Sequence, residues 1–112
     1  AEAAARVNIS LSPDPMPEQN LFTRSDHYSF VKEGVPSVFL VTGFANGGEA
    51  AFGSFLQTHY HRPSDEIDLP INFEAGAKFA RVNYLIAGAL ADADERPSWN
   101  PGNFFGEQFG RD

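Results

Sequence analysis

The chain has 112 residues, of which 42% are hydrophobic and 11 are phenylalanine, so it is at most one domain and contains enough apolar material for a packed core. Its formal net charge of −7 argues against nucleic acid or an anionic membrane surface as a partner, because no basic stripe is present to displace counterions from phosphates. The absence of cysteine excludes disulfides and thiolate sites, and no apolar run approaches the roughly 20 residues of a membrane span.

Residues 1–24 are predicted to be a helix end followed by a connector. Alanines give residues 1–8 a high helix propensity, but this segment is too short to be stable alone. It is interpreted as the last turns of a helix that begins earlier, so the chain is expected to be a piece of a longer protein. Prolines at alternate positions, Pro13, Pro15 and Pro17, then predict an extended connector, since each disfavours helix in the residue before it.

A short helix and a strand are predicted next. Ser25 is a preferred N-cap residue, Asp26 suits the first helical turn, and Gly34 is placed for the C-terminal cap. Residues 35–42 are apolar without alternation and end at Gly43, which is typical of a strand buried on both faces of a parallel sheet. A helix followed directly by a buried strand is half of an α/β unit, so the predicted fold class is α/β.

The second half of the chain is predicted to contain one long helix. No periodic element is predicted from Gly43 to Ile71, and such a long irregular stretch is usually functional or disordered. Asn72 is expected to cap a helix from Phe73 to about Ala91, with Glu74 and Lys78 as an i,i+4 pair. Its predicted core-facing stripe consists of Ala75, Phe79, Val82, Ile86 and Leu90. Four aromatic residues in the Gly/Pro-rich tail, residues 95–112, predict that the tail packs back over the body.

These elements predict a single partial domain, in which residues 25–94 carry the helix, the strand, a ligand loop and the long helix. A buried strand needs neighbours, and this chain offers at best weak candidates for them. The incomplete sheet therefore predicts that the strand and helix faces pair with another copy of the chain or with an upstream portion of the same protein.

Residues 58–66 hold two of the chain's three histidines, together with a tyrosine, an arginine and two carboxylates. His61 is the best candidate metal ligand, because neutral imidazole is the commonest protein ligand for zinc. The spacing His-x-His is by itself a weak pattern, and a surface loop with incidental histidines accounts for it equally well. His59 is expected to face solvent rather than to bind metal.

Asp26 and His27 form the second candidate cluster, although helix capping by Ser25 and Asp26 is the simpler interpretation. A triad could be assembled from Ser25, His27 and Asp65, but nothing in the sequence supports it. The chain contains neither a Gly-x-Ser-x-Gly elbow nor a glycine-rich phosphate loop after a strand.

Three segments resemble one known family. Residues 24–30, continuing through 33–40, are similar to an "SDH-x-x-F…GVP" segment, and residues 60–65 are similar to the zinc-ligand motif "YH-x-P-x-D". Both belong to the co-catalytic dizinc aminopeptidases, the clan MH metallopeptidases related to bacterial leucyl aminopeptidases. The tail from Trp99 to Gly106 resembles the C-terminus of bacterial members. The resemblance implies the C-terminal part of a three-layer α/β/α sandwich of the zinc exopeptidase type, with an incomplete sheet in this chain.

The resemblance also implies roles for individual residues. His61 would be the final ligand of one of two zinc ions, and Tyr60 would direct its hydroxyl at the scissile carbonyl of a peptide substrate. Asp26 would form hydrogen bonds beside the site, and Asp65 would organise the loop. A secreted or periplasmic location is implied by the family alone.

The departure from the family pattern is as important as the match. The family's earlier histidine, bridging aspartate, general-base glutamate and remaining acidic ligand have no counterpart in residues 1–112. Catalytic zinc needs about three protein ligands plus water, so the chain alone is predicted to be inactive and to bind zinc poorly. Two other functions stay open: a glutaminyl cyclase, although that branch typically has tryptophan in place of Tyr60, and a non-catalytic binding or assembly module.

Overall fold

The computed structural model describes residues 1–110, and every regular element in that range is helical. The helices are α1 (Glu2–Ala5), α2 (Tyr28–Lys32), α3 (Gly48–Thr58), α4 (Phe73–Ala91) and α5 (Phe104–Phe109). Short 3-10 segments occupy Pro17–Gln19, Leu21–Arg24 and Ala45–Gly47. The chain divides into a first unit, residues 1–15 with 42–92, and a second unit, residues 16–41 with those from Ala93 onward. None of the described helices combines the length and apolar character needed to cross a membrane.

The predicted α/β class is wrong for this structure, because residues 1–110 contain no β-strand and therefore no layer of an α/β/α sandwich. Residues 35–43 are irregular, and the exposed fractions of Val35, Val38 and Val41 are 44%, 62% and 43%. A strand satisfies its backbone groups by pairing with a neighbouring strand. An apolar, β-branched run cannot become a buried strand without such a partner, and no described segment supplies one.

The long helix of the first unit, α4, begins at Phe73 and ends at Ala91, as predicted. The Asn72 side chain caps α4 by accepting a hydrogen bond from the backbone N–H of Ala75 at 3.0 Å. Lys78 Nζ lies 3.1 Å from Glu74 Oε1. Helix α1 packs against α4, which buries Ala4 and Val82. The rest of the predicted stripe is less covered, since Phe79 and Leu90 keep 38% and 49% of their surface exposed.

Helix α3 replaces part of the segment that is predicted to be irregular. It begins after two residues in the left-handed region, Asn46 (φ 54°) and Gly47 (φ 83°). Gly48 and Gly53 lower its intrinsic helix propensity. At Gly48 the glycine is required, because a Cβ there would clash with the backbone carbonyl oxygen of Gly43. Helix α3 therefore depends on a close approach between the backbones of Gly48 and Gly43, which no periodic pattern in the sequence predicts.

In the second unit, α2 begins at Tyr28, with His27 as its N-cap and no side-chain capping bond. The prediction that Ser25 caps this helix is therefore wrong. The predicted C-terminal cap is confirmed at Gly34, which has a φ of 84°. The N–H of Gly34 donates to the Val31 carbonyl and that of Val35 to the Phe30 carbonyl, which is the Schellman arrangement. Val31 is fully buried.

The aromatic tail folds back within the second unit, as predicted. The indole N–H of Trp99 donates a hydrogen bond of 3.0 Å to the carbonyl of Gly34. Helix α5, which the sequence does not predict, is capped by Asn103, whose side chain accepts hydrogen bonds from two backbone N–H groups. The ring of Phe105 lies 5.1 Å from that of Phe22 and 6.0 Å from that of Tyr28. This aromatic packing provides the tertiary support that a helix of 6 residues needs.

Candidate functional site

The candidate site in the first unit is the histidine loop, defined here as residues 58–65. Two backbone hydrogen bonds join the start of the loop to the end of α3. They run from the N–H groups of His59 (2.9 Å) and Tyr60 (3.0 Å) to the carbonyl of Phe55. Two further turns follow, from Arg62 to the His59 carbonyl and from Asp65 to the Arg62 carbonyl, both at 3.0 Å. The loop is therefore a series of tight turns anchored to a helix end.

Tyr60 and His61 stand side by side on this loop. Their ring centroids are 3.8 Å apart with an interplanar angle of 21°, so the rings are stacked. Both side chains are exposed, and Tyr60 keeps 45% of its surface open to solvent. His61 has a φ of 56°, in the left-handed region that histidine adopts more readily than most residues. The imidazole and the phenol are thus presented together, where both can contact groups outside the loop.

His59 is less exposed than the sequence predicts, because its ring contacts other residues of the first unit. Its Nδ1 lies 3.0 Å from the Ser64 hydroxyl, and its ring is 6.5 Å from that of Phe55. The Ser64 hydroxyl also donates to the carbonyl of Thr58 at 3.3 Å. Sequence reasoning assigns nothing to Ser64. Its position within the loop motif is the one feature that could have drawn attention to it.

Asp26 and His27 belong to the second unit. The exposed Asp26 contributes its carbonyl to the turn before α2, where it accepts from the Ser29 N–H at 3.1 Å. The His27 ring lies 4.5 Å from Phe22 and stacks on Phe39 at 4.9 Å. Its Nε2 is buried and has no hydrogen-bond partner among the residues described. The proposed roles of Asp26, Tyr60 and His61 stay predictions, since nothing in this geometry tests them.

The donor set does not by itself fit a zinc centre. Within residues 1–110, no group of three or more histidine, aspartate or glutamate side chains is placed to hold a metal ion. Catalytic zinc takes three protein ligands and a water or substrate molecule in tetrahedral geometry. The described part of the chain therefore holds no complete ligand set for a catalytic zinc ion.

The comparison with known families identifies the chain. The family model described as "Peptidase family M28" matches residues 1–87, a range that includes the histidine loop and most of α4. Comparisons with curated proteins and with solved structures found no match. The family match covers well over half of the 112 residues. The chain therefore belongs to peptidase family M28, a family of peptide-bond hydrolases.

Proposed function

We propose that this chain carries the last metal-ligand loop of a zinc-dependent aminopeptidase that releases N-terminal residues from peptides. The observation that carries the proposal is the family match across a loop that presents an exposed imidazole and an exposed phenol side by side. The peptidase family supports the hydrolytic reaction. The motif around Tyr60 and His61 supports the narrower assignment to the dizinc aminopeptidases related to bacterial leucyl aminopeptidases.

Each residue has a distinct proposed role. His61 offers a ring nitrogen as the final zinc ligand, from an exposed position on the histidine loop. Tyr60 donates a hydrogen bond from its hydroxyl to the substrate carbonyl oxygen, which strengthens as negative charge develops there. A hydrogen-bonding role for Asp26 is proposed on the family resemblance alone. Zinc in such enzymes supplies Lewis-acid activation of water and of the carbonyl.

The missing ligands and the general base are proposed to come from an upstream portion of the same protein. The reason is the count of donors, since one imidazole cannot hold catalytic zinc. The chain alone is accordingly proposed to be inactive. A secreted or periplasmic location is proposed on the family resemblance.

A zinc titration followed by peptide hydrolysis tests this function. The chain is titrated alone and together with its upstream portion, and metal content and release of N-terminal residues are measured. We expect weak binding and no turnover for the chain alone, and two zinc ions with aminopeptidase activity for the combination. His61→Ala should lower zinc affinity by more than about tenfold, because even the loss of a hydrogen-bonding partner of a zinc ligand costs that much, whereas Arg62→Ala, the matched exposed control, should not.

The same experiment separates the alternative functions. Cyclisation of an N-terminal glutamine, with no release of N-terminal residues, would identify an acyl transferase of the glutaminyl cyclase type. Failure to bind zinc or to act on either substrate in the combination would indicate a binding or assembly module instead.

A further inference from the structure

Ser64 makes the side-chain hydrogen bonds that cross the tip of the histidine loop. Its hydroxyl lies 3.0 Å from His59 Nδ1 and 3.3 Å from the Thr58 carbonyl oxygen, while Tyr60 and His61 lie between these anchor points in the chain. We propose that Ser64 is a positioning residue, which fixes the tautomer of His59 and closes the loop that presents Tyr60 and His61. The closure follows from geometry alone, and its relevance to catalysis rests on the proposed function.

The tautomer of the His59 ring follows from the single hydrogen that the Ser64 hydroxyl can donate. A serine hydroxyl has one hydrogen to donate and two lone pairs to accept with. The Thr58 carbonyl can only accept, so the Ser64 hydroxyl donates to it. The contact with His59 must then run the other way, with Nδ1–H of the ring as donor and Ser64 Oγ as acceptor. A neutral His59 therefore carries its proton on Nδ1, and its Nε2 has a free lone pair.

The role of Ser64 in closing the histidine loop follows from the contacts that span His61. The backbone turns of the loop join Phe55 to Tyr60, His59 to Arg62, and Arg62 to Asp65. Each is local, and the second of them alone passes over His61. The left-handed backbone of His61 is sparsely populated for a non-glycine residue and persists where surrounding contacts hold it. The hydroxyl of Ser64 supplies such a contact, because it joins the start of the loop to its end.

Nuclear magnetic resonance of the metal-free chain tests this proposal. The ring nitrogen shifts of His59, recorded where the ring is neutral, report its tautomer, and the ring-proton shifts of His61 report its stacking on Tyr60. Ser64→Ala should lower the ratio of the Nδ1–H to the Nε2–H tautomer of His59 by about two- to tenfold, the factor expected from one ordinary hydrogen bond. It should also move the His61 ring protons towards their unstacked positions.

Two further variants serve as controls. Ser64→Thr keeps the hydroxyl and should restore both sets of shifts, whereas Ser54→Ala removes a nearby exposed hydroxyl from α3 and should change neither. Unchanged His59 and His61 shifts in Ser64→Ala, or an equal change in Ser54→Ala, would overturn the proposal.

A zinc titration of the wild-type chain together with its upstream portion separates this proposal from the proposed function. If zinc leaves the His61 ring shifts unchanged while Ser64→Ala still shifts the His59 tautomer, the zinc-ligand assignment fails and the positioning role stands.

Discussion

The backbone of His61 constrains its substitution independently of any metal. With a φ of 56°, the position suits asparagine, aspartate, histidine or glycine and disfavours β-branched residues. We predict that His61→Asn changes the free energy of unfolding by no more than about 0.5 kcal/mol, whereas His61→Val lowers it by about 1–2 kcal/mol. Urea unfolding followed by far-UV circular dichroism would measure both.

The two substitutions at His61 also separate conformation from ligation, because both remove the imidazole. Zinc affinity should fall equally in His61→Asn and His61→Val, although only the second is strained. A loss of affinity confined to His61→Val would show that the loop conformation, and not the imidazole, controls metal binding.

Asn72 offers a second test at the level of a single side chain. Its Oδ1 accepts from the Ala75 N–H at 3.0 Å, so Asn72→Ala leaves that donor of α4 without its protein partner. We predict a loss of about 1 kcal/mol in the free energy of unfolding, measured by urea denaturation. Asn72→Ser keeps an acceptor and should retain most of the stability; an equal loss in both variants would mean that the cap bond is not the cause.

At the scale of elements, the helices differ in how far their sequences predict them. Helix α4 is predicted because its determinants are local: a capping residue, an ion pair and an apolar stripe within one segment. Helix α3 depends on the approach of Gly48 to the Gly43 carbonyl, and α5 depends on aromatic packing. The opposite error occurs at residues 35–42, where a regular element is predicted but does not form. Their composition favours a strand, and the described chain offers no partner for one.

The residues of the candidate site also differ in how far the sequence predicts their contacts. The adjacency of Tyr60 and His61 follows from the chain itself, so a motif is sufficient to find both. The contact between His59 and Ser64 arises only when the loop closes across five residues, and no spacing rule predicts that closure. Local patterns can therefore identify neighbouring side chains such as Tyr60 and His61, whereas a contact that closes a loop is seen only in the folded backbone.

Helix α4 contains two glycines that its packing does not use. A Cβ added to Gly76 or Gly88 would meet no atom within 4 Å, so alanine should be accommodated without strain. We predict that Gly76→Ala and Gly88→Ala each raise the free energy of unfolding by about 0.5–1 kcal/mol, measured by urea denaturation.

Gly106→Ala in α5 is the contrasting variant. There the new Cβ would lie 2.6 Å from Trp99 Cβ, and we expect destabilisation. If all three alanine variants shifted stability in the same direction, the close packing of Trp99 against α5 would be contradicted.

At the scale of the whole molecule, the described residues bury little apolar material. Ala4, Val31 and Val82 are the hydrophobic residues that are buried among residues 1–110. Large apolar side chains remain open in both units, including Ile67 at 89%, Phe73 at 77% and Phe104 at 65% exposed. A soluble domain of this length normally buries roughly two-thirds of its unfolded surface. Exposed apolar surface of this kind is typical of protein–protein interaction sites and of chains that aggregate.

We therefore predict that the chain self-associates at micromolar concentrations, and that the proposed upstream portion of the protein competes with this self-association. Sedimentation velocity at several concentrations would measure both effects, because burial of the exposed apolar residues provides the driving force. Ile67→Glu, which adds a charge to one of the most exposed apolar positions, should weaken association more than Glu66→Gln. A monomer at every concentration would contradict the prediction.

Trp99 is the chain's one tryptophan, and its indole is bonded to Gly34 inside the second unit. Its fluorescence emission consequently monitors that unit, whereas the longest helices, α3 and α4, belong to the first. Emission and ellipticity recorded on one sample thus follow different halves of the protein. Coincident melting curves would mean that the two units unfold in one cooperative transition. Separated curves would give the order in which the units unfold.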